Sequence, residues 1–202
     1  MLTANINEIP DDGLGRRLCS VTCPGCNHSM VVAAEGWSAL VCLRCKEELA
    51  HPSRTPAWEY DDGGRAKAGF RGVTGDCACR SIAIATQRPY REIYDLIIEA
   101  AKSERASKRR RTKSHPRTGV WTVTMKRVMS ELGFEWVPTM SIGSGCTVHL
   151  RADELPSGPV IARVSKHYVA VVDGVIRDTY DPSREGTRCV YGYFAPKGGN
   201  NG

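Results

Sequence analysis

Two Cys-x-x-Cys pairs, Cys23-Pro-Gly-Cys26 and Cys42-Leu-Arg-Cys45, stand fifteen residues apart near the start of the chain. Each pair sets two thiols on one tight turn, eased in the first by Gly25, and two such turns close a tetrahedron of thiolates around Zn2+. A segment of about thirty residues buries too little apolar surface to fold alone, so the metal is expected to supply the missing stability. Four thiolates leave no open coordination position, which makes this zinc structural rather than catalytic. The spacing predicts a zinc ribbon over residues 19–49, with Cys19 a spare thiol beside it.

The whole chain of 202 residues has the composition of ordinary globular protein, 41% hydrophobic and 25% charged, and is long enough to bury a real core. No apolar run reaches the roughly 18 residues that a membrane span requires. Residues 1–13 have neither the basic flank nor the apolar stretch of a secretory signal, so a cytoplasmic location without membrane attachment is expected. Nine cysteines in such a chain read first as metal ligands, reactive thiols or core residues, and only then as disulfides. Cys146 and Cys189 are accordingly assigned to structure.

The net charge of +6 is local. Between Lys102 and Arg117 the chain carries eight Lys or Arg and one Glu, a net of +7, leaving 6 minus 7, or −1, for everything else. Residues 1–18 read as a flexible tail, 50–69 as a Pro- and Gly-containing linker, and 197–202 as a second tail. From 70 to 196 the pattern is that of one α+β domain. CACRSIAIATQ predicts a helix, a second opens after Pro89 with Ile93, Leu96, Ile97, Ala100 and Ala101 at helical spacing, and Thr122 is placed to cap a third that Gly133 closes. The period then changes to two. FEWVPT, PVIARVS, HYVAVV, VIRDTY and RCVYGYF predict five strands, with a tight hairpin at Asp173-Gly174.

Three residues carry chemistry in this region. Cys77 opens an apolar helix directly after Gly75-Asp76, where the helix dipole and free N–H groups favour the thiolate and Asp76 is placed as the cap. Cys79, about 200° further around the helix, cannot face the same way. A turn at Asp173-Gly174 pairs Val172 with Val175, so paired positions sum to 347; His167 then lies opposite Tyr180 with Asp178 diagonal to it on the same face. Nucleophilic catalysis needs a thiol, a base and an acidic group that holds the imidazole, and Cys77, His167 and Asp178 supply them. Asp181 is the reserve for the acidic role, His115 and His149 are the other histidines to weigh, and Arg80 is positioned to pair with Asp76 or Asp178.

The order of a helix-start cysteine, then a histidine and an acidic residue on a later hairpin, resembles the papain-like cysteine peptidase superfamily. The likeness is greatest to its bacterial branches, the cell-wall endopeptidases with an Asp-Cys motif and the double-glycine leader peptidases with a His-Tyr-Val-Val strand. GDCACRSIAIAT, SIGSGCTVHLRADELPSG and HYVAVVDGVIRDTYDPSREGTRCVYGY look like a group of uncharacterised bacterial and phage proteins. The resemblance implies a papain-like domain, N-terminal helices packed on an antiparallel sheet, behind an N-terminal zinc ribbon. It implies Cys77 as nucleophile, His167 as base and Asp178 as orienter, acting on a peptide, isopeptide or amide bond of a protein or peptide substrate. Such enzymes usually carry a Gln before the nucleophile to bind the oxyanion, and residues 57–76 contain neither Gln nor Asn. Arg71 and Thr74 are the substitutes within reach in sequence.

The basic segment allows a function of another class. Lys108, Arg109, Arg110, Arg111 and Lys113 can neutralise phosphates, giving weak, salt-sensitive nucleic-acid binding through residues 102–117, although no aromatic residue interleaves them to stack on bases. In that alternative the chain is a non-catalytic adaptor using ribbon and basic loop together. Solvation of a loop between helices accounts for the same charges.

Overall fold

The computed structural model describes residues 2–9, 18–33, 39–50, 57–72, 74–105, 112–141 and 143–198. It divides into two compact units, Met1–Pro56 and Ala57–Gly202.

The first unit holds β1 (Leu2–Thr3), β2 (Asn5–Ile9), β3 (Leu18–Thr22), β4 (Ser29–Ala33), β5 (Ala39–Val41) and β6 (Glu48–Ala50), arranged as two three-stranded sheets ordered β1-β6-β5 and β2-β3-β4. Each Cys-x-x-Cys pair tips a hairpin, closed by Thr22 and Ser29 in the first and by Val41 and Glu48 in the second. The turns are built alike: Asn27 N–H donates to Cys23 O and Lys46 N–H to Cys42 O, with Asn27 and Lys46 both left-handed, at φ 54° and 64°. Among the described residues the core of this unit comprises Ala4, Cys19, Val21, Cys23, Cys42 and Leu49. Residues 2–9 are therefore not a loose tail. Their backbone groups complete both sheets, β1 in parallel with β6 and β2 antiparallel to β3.

In the second unit, β7 (Ala57–Tyr60) is followed by α1 (Cys77–Thr86), α2 (Tyr90–Lys102) and α3 (Thr122–Glu131), then β8 (Phe134–Pro138), β9 (Pro159–Val164), β10 (His167–Val172), β11 (Val175–Asp178) and β12 (Gly192–Pro196). The strands form one sheet ordered β7-β11-β10-β9-β12-β8, antiparallel except for β7 against β11. Part of the expected linker is thus an edge strand of the sheet, with Tyr60 opposite Asp178. The β10–β11 register pairs Val172 with Val175, Val171 with Ile176 and Ala170 with Arg177, as the two-residue turn requires; Asp173 and Gly174 both have positive φ. Alternation along the strands supplies two cores. Ile161, Tyr168 and Phe194 meet the helices through Ile82, Ile93, Ile97, Met125 and Met129. Val160, Ala162, Val164, Val169, Val171 and Ile176 cluster with Leu150 and Val190.

Two predicted caps are not made. Asp76 precedes α1 without a capping hydrogen bond, because its carboxylate is engaged by other side chains, and Thr122 is the first residue of α3, with Trp121 at the cap position. The final strand starts at Gly192, since Arg188 to Val190 bond instead to the Val148–Leu150 segment. There a disulfide joins Cys146 to Cys189, with Cα atoms 5.8 Å apart. Sequence order had favoured free thiols, but the pairing of His149 with Cys189 brings the two cysteines together.

Candidate functional site

Helix α1 presents Cys77 at its first position, half-buried, where the first-turn N–H groups have no partners within the helix. Strand β10 starts with His167, 9% exposed, and β11 ends with Asp178, 3% exposed. His167 Nε2 lies 2.6 Å from Asp178 Oδ2. Cys77 lies close enough to His167 for each to shift the titration of the other, and with Nε2 engaged by the carboxylate, Nδ1 is the nitrogen left for sulfur.

The electrostatics follow from that contact set. Burial pushes the Cys77 thiol up, but the hydrogen bond and charge of His167, the Tyr168 N–H and the Arg80 cation outweigh it and hold the thiol below its ordinary value. Burial likewise opposes charge on His167, and the bonds to Asp178 and Cys77 overcome it, raising the imidazole to about 9. Asp178 is lowered against burial by His167, the Thr179 N–H and Arg80. Both shifts favour the thiolate–imidazolium form of the pair, the charge state in which a cysteine attacks a carbonyl and a histidine protonates the leaving group. Cys79 differs in every respect. It is fully buried, its sulfur faces Tyr90 O at 3.8 Å, and burial pushes it up to about 12.

Comparison with protein-family models, with curated proteins and with solved structures finds no match to this chain.

The remaining expected residues are dispersed. Asp181 accepts from the Ser183 N–H and makes no contact with His167 among the described residues. His149 pairs with Glu154, and His115 lies against Tyr94. Thr74 donates its hydroxyl to Arg117 O, and Arg71, exposed, accepts from Arg117 Nη2 at 2.7 Å through its carbonyl. These bonds pin the strand of chain before Cys77, and neither side chain touches the thiol among the described residues. Lys108, Arg109, Arg110 and Arg111 lie outside the described residues, and Lys113 donates to Lys102 O at 2.9 Å.

Sequence spacing gave no sign of two supports: Arg65 approaches Asp76 to 3.8 Å, and Tyr90 Oη donates to Asp76 at 2.8 Å. Tyr180, expected opposite His167, has its ring 5.4 Å from the imidazole. Arg80, at helical spacing from Asp76, was also visible, and it binds both Asp76 and Asp178 rather than one of them.

In the other unit, Cys23, Cys26, Cys42 and Cys45 bring four sulfurs within 4.8 Å of one another. Cys23 and Cys45 are 3.6 Å apart, as are Cys26 and Cys42. A tetrahedron with metal–sulfur bonds of about 2.3 Å has edges of about 3.8 Å, so the four can hold a metal ion with little movement. Cys19 is buried with its sulfur toward Ala33 O, outside this cluster. No helix among the described residues is long and apolar enough to cross a membrane.

Proposed function

We propose that the protein is a papain-like cysteine hydrolase acting on a peptide, isopeptide or amide bond. The observation that carries this reading is the buried 2.6 Å contact of His167 with Asp178, with a helix-start thiol held below its ordinary value by the same imidazole. Cys77 sulfur attacks the substrate carbonyl carbon, and the carbonyl oxygen takes up the negative charge near the start of α1. His167 then gives its proton to the leaving amine as the carbon–nitrogen bond breaks. Water, losing a proton to His167, cleaves the thioester and restores Cys77. Hydrolysis, transpeptidation and deamidation share this machinery: transpeptidation replaces water by an amine as acceptor, and deamidation releases ammonia in place of a peptide amine. In the ribbon, Cys23, Cys26, Cys42 and Cys45 would hold Zn2+, which when bound cross-links two hairpins whose own core among the described residues is small. Its role is folding and substrate docking, not chemistry.

The test is a thiol-directed electrophilic peptide probe. Wild-type protein is expected to label at Cys77 alone among the thiols of its unit, Cys77→Ala to lose the label, and His167→Ala to slow it about a hundredfold. Labelling that persists in Cys77→Ala, or runs at the same rate in His167→Ala, refutes the reading.

A further inference from the structure

Behind Cys77, His167 and Asp178 runs a buried series of side chains of alternating charge. Asp178 Oδ1 accepts from Arg80 Nη2 at 2.9 Å and from the Thr179 N–H at 2.6 Å. Arg80 Nη1 donates to Asp76 Oδ1, and Asp76 Oδ2 accepts from Tyr90 Oη, with Arg65 at the outer end. Asp76, Arg80 and Asp178 are 0%, 5% and 3% exposed. Burying such charges costs several kcal/mol per ion before pairing, and well-packed apolar side chains often serve a fold as well, so the network calls for a role beyond packing.

That role follows from the shape of the two groups. A carboxylate presents two equivalent oxygens and turns about its Cβ–Cγ bond; once Oδ1 is engaged by a guanidinium and a backbone N–H, Oδ2 has one direction left, and His167 lies in it. The guanidinium is itself aimed. Asp76, immediately before α1 and the proposed nucleophile, stands one turn ahead of Arg80 and takes the other arm of the planar fork.

We infer that Arg80 is a positioning residue of the site: its fork, aimed by Asp76, locks the Asp178 carboxylate so that Oδ2 holds His167 toward Cys77. This rests on the reading of Cys77 as nucleophile. Arg80 touches neither substrate nor the reacting bond. Lysine keeps the charge but carries its three donors on one nitrogen, without the planar two-armed fork that reaches Asp76 and Asp178 at once and fixes their directions.

The experiment measures the rate of Cys77 alkylation by iodoacetamide against pH, by fragment-resolved mass spectrometry on the full-length, zinc-loaded protein. Wild type is expected to reach half-maximal rate well below the pH of an ordinary thiol. Arg80→Lys shifts that midpoint upward by about one pH unit, roughly tenfold slower at pH 6, and Arg80→Met by more. Asp178→Asn shifts it likewise, and adding Arg80→Lys to Asp178→Asn changes the rate by less than about twofold, because a residue acting through Asp178 has no target left. A wild-type profile in Arg80→Lys, or additive losses in the double variant, overturns the role of Arg80 alone. An ordinary thiol profile in wild type, unmoved by His167→Ala, overturns the nucleophile reading itself and the role of Arg80 with it.

Discussion

His167 turns Nε2, not Nδ1, toward Asp178 Oδ2, 2.6 Å away and out of contact with water. The carboxylate therefore fixes which nitrogen is left for Cys77. Holding the proton on Nε2 in the neutral ring keeps Nδ1 free to accept the thiol proton, so a single contact selects the tautomer, the ring orientation and the stability of the imidazolium.

Replacing that carboxylate separates chemistry from stability. Asp178→Asn keeps the shape but removes the charge that supports the imidazolium, and Cys77 alkylation at pH 6–7 is expected to fall about tenfold or more. Asp178→Ala also strips Arg80 of one of its two carboxylates, leaving a buried cation under-compensated. Urea denaturation should show a loss of about 3 kcal/mol for Asp178→Ala and a smaller one for Asp178→Asn. Equal, small losses in both would mean that Arg80 does not depend on Asp178.

The pair has a second signature in the pH dependence of stability. His167, raised to about 9, contributes stability that is complete below about 6.5 and is lost as pH rises through 9. Cys77, lowered from 9, contributes stability that is complete above 9 and is lost as pH falls through its folded value. Above both about 6.5 and the folded value of Cys77, and below about 9, the two trends oppose each other, because there a thiolate with an imidazolium binds as many protons as a thiol with a neutral imidazole. Wild type should show little site-dependent change in unfolding free energy across that window. Cys77→Ala removes one side of the cancellation while the Asp178 bond still raises His167, so its stability should fall as pH rises, by on the order of 1 kcal/mol. A wild type that already falls steeply, with Cys77→Ala running parallel to it, would exclude the ion pair.

The ribbon makes a separate prediction. Among the described residues six buried side chains form the core of the first unit, too few to offset the ordering of two sheets, so its fold is expected to depend on a metal held by the four cysteines. Purified protein is expected to carry one zinc per chain by elemental analysis, Cys26→Ser or Cys42→Ser to lose it, and a strong chelator to abolish amide protection across β3 to β6. Cys19→Ser should keep the zinc, since its sulfur lies outside the cluster. Full protection of β3 to β6 in the metal-free protein would show that the hairpins stand without it.

How much of this was legible in the sequence depended on whether the signal was local. The knuckles, the three helices and the Asp173-Gly174 turn are local, and the turn fixed a register from which the proximity of Asp178 to His167 followed by arithmetic. Strands β1 and β7 were not legible, because each gains its place by pairing with a strand far away in sequence, and β2 was missed because the polar segment Asn5–Ile9 carries little of the apolar alternation that marks a strand. Asp76 was misread for a related reason. At a helix start an aspartate favours capping, but here the tertiary partners Arg80, Tyr90 and Arg65 claim both oxygens. The Cys146–Cys189 bridge was hidden by distance, since its ends meet only after three intervening strands have formed the sheet.

That bridge carries the last prediction. It closes a loop of sequence separation 43 that contains β9, β10 and β11, and with them both His167 and Asp178. Chain-entropy bookkeeping for a loop of that length gives about 4 kcal/mol, of which measured bridges commonly return about 2–4. Cys146 is exposed, so a reductant reaches it while the folded unit persists. Reduction should therefore lower the stability of the Ala57–Gly202 unit by about 2–4 kcal/mol, and the double variant Cys146→Ala, Cys189→Ala should match the reduced wild type and no longer respond to reductant. Cys77 and Cys79 stay free in both proteins, so mass spectrometry after alkylation should count two additional thiols on reduction of wild type and none in the double variant. If wild type gains those thiols with no loss of stability, the bridge is not what holds the segment carrying His167 and Asp178.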